Sequence, residues 1–266
     1  MKYFGGCDVG STYTKCVILN EEGKMVANTT LRSRIMANES AKEALETAIA
    51  QVPGLNGIED LSYLIGTGYG RNKVPQAAEN ISEISCHAMG VHVTDPNVKA
   101  IIDIGGQDVK GIAVDTDGTV KTFAMNDKCA AGTGRFIESM ARAFEISLDE
   151  FSKLSLTAKN VIPITSQCTV FAESEVITLV GEGKPWDEIA AGIQQSVAKR
   201  CFVMAKKAGA TDAITLTGGC AKNEGLKKAI EKVLRIKVID LKVDPQLMGA
   251  LGAAEYARIK GLDKEA

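Results

Sequence analysis

Three glycine-containing segments combine small, hydroxyl-bearing and charged residues in the way that phosphate-binding turns do. They are Asp8–Lys15 (DVGSTYTK), Asp103–Asp108 (DIGGQD) and Thr217–Asn223 (TGGCAKN). In the first segment, Gly10 permits a tight turn whose backbone N–H groups, with the hydroxyls of Ser11 and Thr12, can face phosphate oxygens. Lys15 can supply positive charge, and Asp8 can hold Mg²⁺ directly or through water. This segment therefore predicts a phosphate-binding hairpin.

The second segment offers the same device later in the chain. Asp103 mirrors Asp8 at the end of a predicted strand, and Gly105 and Gly106 admit the close approach of a phosphate. Gln107 can orient an attacking water molecule. Asp8, Asp103 and Gln107 are therefore the candidate catalytic residues.

The third segment is a predicted strand that ends in two glycines before a helix. Exposed backbone at Gly218 and Gly219 lets the base and ribose of adenosine lie flat, and Asn223 can supply a polar contact. Any one glycine-rich turn is more often a plain connection between strands, so the prediction depends on the order and pairing of all three. The candidate nucleotide-binding residues are Gly10, Ser11, Thr12, Tyr13, Thr14, Lys15, Gly105, Gly106, Gln107, Gly132, Gly134, Gly218, Gly219, Asn223 and Gln246.

Two of the seven cysteines, Cys129 and Cys168, each precede a predicted helix in similar surroundings. Unpaired N–H groups at a helix N-terminus favour an anionic thiolate or a thiolate-bound cluster. Two cysteines cannot complete the four-thiolate shell of a cubane cluster, whereas two-fold pairing of two chains can. A small buried hydrophobic residue is the ordinary alternative for any single cysteine, and the spacing alone leaves it open.

The composition describes an ordinary globular protein. The chain has 266 residues, is 45% hydrophobic and carries a formal net charge of −2. We do not expect nucleic acid as a partner, because the sequence contains no basic stripe. No stretch approaches the roughly 20 apolar residues that span a bilayer, and no signal-peptide core follows Met1, so we expect no membrane association and a cytoplasmic protein. The scattered cysteines do not form a disulfide framework.

Two similar α/β lobes are expected because the opening pattern of strands recurs. The patterns predict strands over residues 3–9, 13–19, 100–104, 109–114, 120–125 and 213–217, and helices over 40–51, 134–144, 172–181, 186–208 and 247–259. The first predicted lobe covers residues 1–95, onto which the C-terminal helix packs back, and the second covers 96–266.

Two phosphate hairpins followed by a strand-Gly-Gly-helix element resemble the superfamily of actin, sugar kinases and heat-shock chaperone ATPases. No Walker-type Gly-x-x-x-x-Gly-Lys-Ser/Thr segment is present. The resemblance implies an α/β, actin-like ATPase fold of two duplicated ribonuclease-H-like lobes with a nucleotide cleft between them.

Further segments narrow this resemblance. DVGSTYTK, GTGYGR, SEISCHAMG, DIGGQD, MNDKCAAGTGRF, CTVFAESEV and TGG resemble the activator component of 2-hydroxyacyl-CoA dehydratases, which is related to the ATPase subunits of benzoyl-CoA reductases. The resemblance implies that Cys129 and Cys168 of each subunit hold one 4Fe-4S cluster in a homodimer. It further implies ATP or ADP with Mg²⁺, ferredoxin or flavodoxin as electron source, and a dehydratase or reductase with its own iron-sulfur centre as acceptor.

Several alternatives stay open beside this prediction. An actin-fold kinase for an amino sugar or acyl group would use the same turns without the thiolate pair, and a nucleotide-switched scaffold would need a filament surface or a further domain. Cys86 and His87 form an incomplete metal shell and favour a structural role. Glu175 is a further candidate for catalysis. The segment Arg32–Asn38 departs from the Gly/Ser/Thr-rich stretch of several dehydratase activators, which leaves the partner enzyme open.

Overall fold

The computed structural model describes residues 1–126, 129–165, 168–210 and 212–264. The β-strands in these ranges are Tyr3–Val9 (β1), Tyr13–Asn20 (β2), Met25–Arg32 (β3), Tyr63–Thr67 (β4), Glu79–Asn80 (β5), Ala100–Ile104 (β6), Val109–Val114 (β7), Val120–Asn126 (β8) and Ile214–Thr217 (β9). The α-helices are Ala37–Ile49 (α1), Glu83–Thr94 (α2), Gly134–Ala143 (α3), Leu148–Thr157 (α4), Thr169–Gly181 (α5), Trp186–Lys207 (α6), Glu224–Leu234 (α7) and Met248–Asp263 (α8).

The chain forms two compact units, and neither is continuous in sequence. Unit 1 comprises residues 1–97, 114–120 and 241–266, and unit 2 comprises residues 98–113 and 121–240. Unit 1 therefore contains the C-terminal helix α8 as well as the first 97 residues.

The sheet of unit 1 has the order β3-β2-β1-β4-β5. Strands β1 and β2 form an antiparallel hairpin, and β4 runs parallel to β1 on its other side. From Phe4 to Val9 strand β1 is buried, as expected of a strand covered on both faces of its sheet.

Unit 2 repeats this arrangement in a sheet of order β8-β7-β6-β9. Strands β6 and β7 form the antiparallel hairpin, and β9 runs parallel to β6. In both units, therefore, a hairpin is followed by a third strand, and a later parallel strand lies beside the first.

Helices cover the sheet of unit 1. Helix α1 buries Ala44, Leu45 and Ala48 in a cluster with Cys7 and Cys16 of the first hairpin. Helix α8 contacts β1 so closely that a methyl group on Gly6 would lie 2.2 Å from the carbonyl oxygen of Ala250. The glycine is needed there because nothing larger than hydrogen fits between strand and helix.

The core of unit 2 is built around α6. Its buried residues Ile193 and Val197 belong to one cluster with Phe136 of α3 and Phe151 of α4. The same cluster includes Ile102 of the central strand β6, so α3, α4 and α6 share one core with the hairpin strand.

No helix in the described ranges is both long and apolar enough to cross a bilayer.

Candidate nucleotide hairpins and the cysteine pair

The first hairpin places an acid and a lysine directly opposite each other. Asp8 of β1 is the cross-strand neighbour of Lys15 of β2, and Lys15 Nζ lies 2.6 Å from Asp8 Oδ2. The N–H of Gly10 donates to the carbonyl of Tyr13 at 3.1 Å, closing the turn. A methyl group on Gly10 would lie 2.7 Å from that carbonyl oxygen, so the turn depends on glycine. Both members of the ion pair are largely buried beneath the exposed turn residue Ser11.

Ser33 stabilises this turn, a role that sequence reasoning missed. Its N–H donates to the carbonyl of Thr12 at 2.9 Å, and its Oγ donates to the carbonyl of Gly10 at 2.8 Å. The Oγ also lies 2.9 Å from the hydroxyl of Thr14. Ser33 belongs to the segment 32–38 that departs from the family pattern, and only its position directly after β3, beside the hairpin, points to this role.

The second hairpin repeats the acid-lysine pair in a more buried form. Asp103 of β6 is the cross-strand neighbour of Lys110 of β7, whose Nζ lies 3.3 Å from Asp103 Oδ2 and 2.9 Å from Asp108 Oδ1. The side chain of Lys110 is only 3% exposed. The turn closes as in unit 1, because the N–H of Gly105 donates to the carbonyl of Asp108 at 3.0 Å.

Lys110 was missed although the sequence contains its signal. Asp103 precedes Lys110 by seven positions, as Asp8 precedes Lys15. Since a hairpin of that length brings these positions opposite each other, the shared spacing predicts both pairs.

The third segment lies beside the second hairpin within unit 2. Thr217 ends β9 and its Oγ1 donates to Asp103 Oδ1 at 2.9 Å. Gly218 has a φ of +83°, and a methyl group there would lie 2.5 Å from the carbonyl oxygen of Ile104. The glycine thus allows the segment to pass directly over the end of β6.

The remaining candidate residues of the adenosine segment have separate positions. Asn223 Oδ1 caps α7 by accepting from the N–H of Leu226 at 2.9 Å, and it also accepts from Gln194 Nε2 at 3.0 Å. Gly219 is exposed. Gln246 is buried and belongs to unit 1, so it does not share a unit with Asn223 and Gly219.

The start of α3 is hydrogen-bonded to the second hairpin turn. The N–H of Gly134 donates to the carbonyl of Gly105, and that of Arg135 to the carbonyl of Gly106, each at 2.9 Å. A methyl group on Gly134 would lie 3.0 Å from Cys220 Sγ. The turn thereby satisfies two of the otherwise unpaired N–H groups of the helix, and Gln107 of the same turn is exposed.

Cys129 and Cys168 both precede helices of unit 2, as predicted. Cys129 lies five positions before α3 and is half-buried, whereas Cys168 is the exposed N-cap residue of α5. In the parts of the chain that the structure describes, no three His, Cys, Asp or Glu side chains are grouped to hold a metal.

The other five cysteines are unsuited to this role. Burial raises the pKa of Cys16, Cys86 and Cys220 to about 12, and raises the pKa of Cys7 and Cys201 as well. Ionisation of these thiols is therefore less favourable than that of an accessible cysteine, and a metal ligand must be a thiolate.

The two acids that follow Cys168 hold its surroundings in place. Ser139 Oγ of α3 donates to Glu173 Oε2 at 3.2 Å, which links α3 to α5. Glu175 Oε1 accepts from both the N–H and the hydroxyl of Thr165, each at 2.9 Å. Glu175 therefore connects the segment before Cys168 to α5. This is a structural role, and the catalytic role considered from the sequence stays a prediction.

A curated relative covers almost the whole chain. The sequence is 46% identical over 255 residues to the activator of lactoyl-CoA dehydratase from Anaerotignum propionicum, covering 96% of this chain and 97% of that protein.

Solved structures agree with this relationship. The activator of the 2-hydroxyisocaproyl-CoA dehydratase from Clostridium difficile with bound ADPNP is 41% identical and superposes with a TM-score of 0.92 over 99% of this chain and 97% of that one. Component A of the (R)-2-hydroxyglutaryl-CoA dehydratase from Acidaminococcus fermentans, also 41% identical, gives 0.90 over 98% and 100%. A ROK family glucokinase from Streptomyces griseus, at 14% identity, gives 0.57 over 97% and 99%, a likeness of fold alone.

The predicted actin-like ATPase fold is confirmed by these structures. The family model of the BadF/BadG/BcrA/BcrD ATPases matches residues 6–257, nearly the whole chain. The protein belongs to the BadF/BadG/BcrA/BcrD ATPase family.

Proposed function

We propose that this protein is an ATP-hydrolysing activator that donates single electrons to a partner iron-sulfur enzyme. In this proposal two copies of the chain hold one 4Fe-4S cluster through Cys129 and Cys168 of each. The observation that carries it is the position of these two thiols ahead of α3 and α5, of which α3 is hydrogen-bonded to the second hairpin turn.

The hairpins of the two units are the proposed sites for the phosphates of ATP and for Mg²⁺. Each offers a glycine turn with backbone N–H groups and an aspartate at the end of its first strand, Asp8 or Asp103. Gln107, exposed at the second turn, is the proposed residue that orients the attacking water. ATPase activity is supported by the family and by the ADPNP-bound relative.

The cluster would be held by thiolates alone and would supply a one-electron carrier at the surface of each subunit. Exposed apolar side chains lie on the helix that begins at Cys168: Val170, Phe171 and Ile177 of α5 are each more than half exposed. Because Phe171 stands three residues after the exposed Cys168, a second copy meeting this chain at Cys168 would cover part of this apolar face. This supports a homodimer.

Coupling between nucleotide and thiol is proposed to pass through α3. Its first two N–H groups bind the carbonyls of Gly105 and Gly106, so a change of the turn on ATP binding or hydrolysis alters the helix that follows Cys129. Linkage sets the scale: for a one-electron couple, each tenfold difference in nucleotide affinity between the two redox states shifts the potential by about 59 mV.

The electron source is proposed to be ferredoxin or flavodoxin. The acceptor would be a dehydratase or reductase with its own iron-sulfur centre. This choice is supported by the relatives, two of which are named as activators of lactoyl-CoA and 2-hydroxyisocaproyl-CoA dehydratases and a third as part of a benzoyl-CoA reductase.

Anaerobic purification followed by iron, sulfide and absorbance measurements tests the proposal. We expect four iron atoms per dimer, absorbance near 400 nm, and loss of both in Cys129→Ser and Cys168→Ser with nucleotide binding retained. Cys201→Ala is the matched control, because its thiol is buried in the same unit, and it should keep its iron. Normal iron content in either serine variant would refute the ligand assignment.

The same preparation separates the competing functions. An iron-free protein that phosphorylates an amino sugar or an acyl group would be a kinase, and the activator proposal would fall. For the dimer, Phe171→Glu places a charge on the exposed face of α5 and should shift the mass in solution from dimer to monomer; an unchanged dimer would exclude that face from the contact.

A further inference from the structure

Two segments singled out in the sequence have no task in the proposed function so far. They are GTGYGR (residues 66–71) and SEISCHAMG (residues 82–90). Within unit 1 both converge on the carboxylate of Asp8, together with the first turn of α8.

The first segment supplies a glycine beneath one carboxylate oxygen. Gly68 follows β4 with a φ of +86°, and a methyl group there would lie 2.3 Å from Asp8 Oδ1 and 2.7 Å from the carbonyl oxygen of Val9. Asp8 can occupy its position only because residue 68 has no side chain.

The second segment brings a histidine to the glycine of α8 that also lies next to the other carboxylate oxygen. A methyl group on Gly249 of α8 would lie 2.8 Å from Asp8 Oδ2 and 3.0 Å from His87 Nε2, so the carboxylate and the imidazole meet over the same Cα atom. His87 is 6% exposed.

The close packing of two helices determines this meeting point. Helices α2 and α8 approach so closely that a methyl group on Gly252 would lie 1.8 Å from the carbonyl oxygen of Cys86, and one on Gly90 would lie 2.1 Å from that of Met248. Three glycines, Gly90, Gly249 and Gly252, thus allow α2 to place His87 against the same residue of α8 as the Asp8 carboxylate.

We propose that His87 is a positioning residue for Asp8: directly or through one water molecule, its Nε2 fixes the orientation in which the carboxylate meets Mg²⁺ and the nucleotide. The inference rests on the proposed ATPase function and deepens it. Lys15 already binds Oδ2 at 2.6 Å, and a second polar contact restricts rotation of the carboxylate about its Cβ–Cγ bond.

In unit 2 a different residue orients the corresponding aspartate. Asp103 receives a hydrogen bond from the hydroxyl of Thr217, its neighbour on the parallel strand. The matching neighbour of Asp8 is Thr67. Its buried hydroxyl has no well-formed hydrogen bond among the described residues, although it lies near the thiol of Cys86. The proposal gives the imidazole of His87 the supporting role in unit 1 that the hydroxyl of Thr217 has in unit 2.

The test compares His87→Phe with His87→Gln, and uses His92→Phe as the matched control. The chain has two histidines and both lie on α2, but His92 packs against Gly118 instead of Asp8. The affinity for ADP and for a non-hydrolysable ATP analogue is measured by calorimetry with and without Mg²⁺, alongside KM, kcat and the melting temperature.

His87→Phe should weaken Mg²⁺-dependent nucleotide binding about tenfold or more, the range typical of groups that orient a metal ligand, while binding without Mg²⁺ is unchanged. His87→Gln, which keeps an N–H donor, should recover most of the loss, and His92→Phe should match the wild type. Gly249→Ala, which crowds both side chains, should act in the same direction as His87→Phe.

Two results would overturn the inference: wild-type Mg²⁺ dependence in His87→Phe, or equal losses with and without Mg²⁺ that glutamine does not rescue. Failure of the proposed ATPase site is distinguishable, because wild-type protein would then show no Mg²⁺-dependent nucleotide binding at all, and failure of the proposed electron transfer would show as wild-type protein without iron. Iron content should stay at the wild-type value in every variant, since none touches Cys129 or Cys168.

Discussion

The two hairpin regions share four residues in the same geometry but stabilise them differently. Unit 1 has Asp8, Lys15, Thr67 and Gly68, and unit 2 has Asp103, Lys110, Thr217 and Gly218, with matching strand registers and glycines at positive φ. The lysine of unit 1 is partly exposed and binds one carboxylate, whereas that of unit 2 is buried and binds two. Duplication therefore preserved the carboxylate and its glycine, and the supporting contacts diverged.

Cys16 of unit 1 and Cys168 of unit 2 should show the largest difference, in thiol reactivity. Burial raises the pKa of Cys16 to about 12, from an ordinary value of 9.0, so its thiolate population at pH 8 is about 1000-fold lower than that of an ordinary thiol. Cys168 of unit 2 is exposed. In cluster-free native protein, iodoacetamide should therefore label Cys168 rapidly and Cys16 hardly at all, as followed by peptide mass spectrometry. Comparable rates would contradict the packing of unit 1.

Replacing Lys110 or Lys15 by methionine should lower the stability of the protein by different amounts in the two hairpins. Lys110→Met leaves two carboxylates near each other without their buried cation and should lower the free energy of unfolding by about 3–5 kcal/mol. Lys15→Met removes the cation of a largely buried pair that has a single carboxylate, and should lower it by less, about 1–3 kcal/mol. Denaturant titration measures both, and equal effects would remove the distinction between the hairpins.

The two glycines after β4 and β9 should respond alike. Alanine at Gly68 or Gly218 combines a positive φ with overlap on an aspartate oxygen, and each should cost about 3 kcal/mol of stability. Gly209→Ala is the control, because Gly209 also has a positive φ but has open space around it. If Gly209→Ala were as damaging as the other two, backbone strain alone would explain all three.

Replacing Thr217 or Thr67 by valine should give the smallest difference in stability between the two hairpin regions. Thr217→Val removes a hydrogen bond to a carboxylate and should cost about 2 kcal/mol. Thr67→Val should cost less, since the hydroxyl of Thr67 has only a thiol nearby and valine keeps the shape. Thermal unfolding resolves the two, and a larger loss for Thr67→Val would mean that unit 1 uses its threonine as unit 2 does.

Sequence reasoning located the strands of the hairpins because they are continuous apolar runs that end at glycine turns. The bounds of β1, β6 and β7 match the prediction, and α6 differs from its predicted end by one residue. The sequence predicts no specific element at α2. Its residues 86–91 are buried one after another, with Gly90 packed against α8, so the helix lacks the alternation of apolar and polar faces by which a helix is recognised.

The candidate residues were harder to place than the elements. Spacing pairs Asp8 with Lys15 and would have paired Asp103 with Lys110, since a hairpin sets both ends of the pair. No spacing relates Gly68, His87 and Gly249, which follow β4 or belong to α2 and α8 and meet only once unit 1 is packed. Positions 127–128 and 166–167, next to the two cysteines, lie outside the described residues, so the ligand assignment stays a prediction.

The insertion of α8 against β1 has a consequence for biosynthesis. Because Gly6 of β1 packs against Ala250 of α8, the sheet of unit 1 lacks part of its helix cover until the ribosome has made α8, although all of its strands lie within the first 80 residues. Unit 2, whose last residue in sequence is Asp240, emerges in full before that helix does. The face of the first sheet that α8 covers therefore stays without its helix until the chain has been synthesised through residue 263.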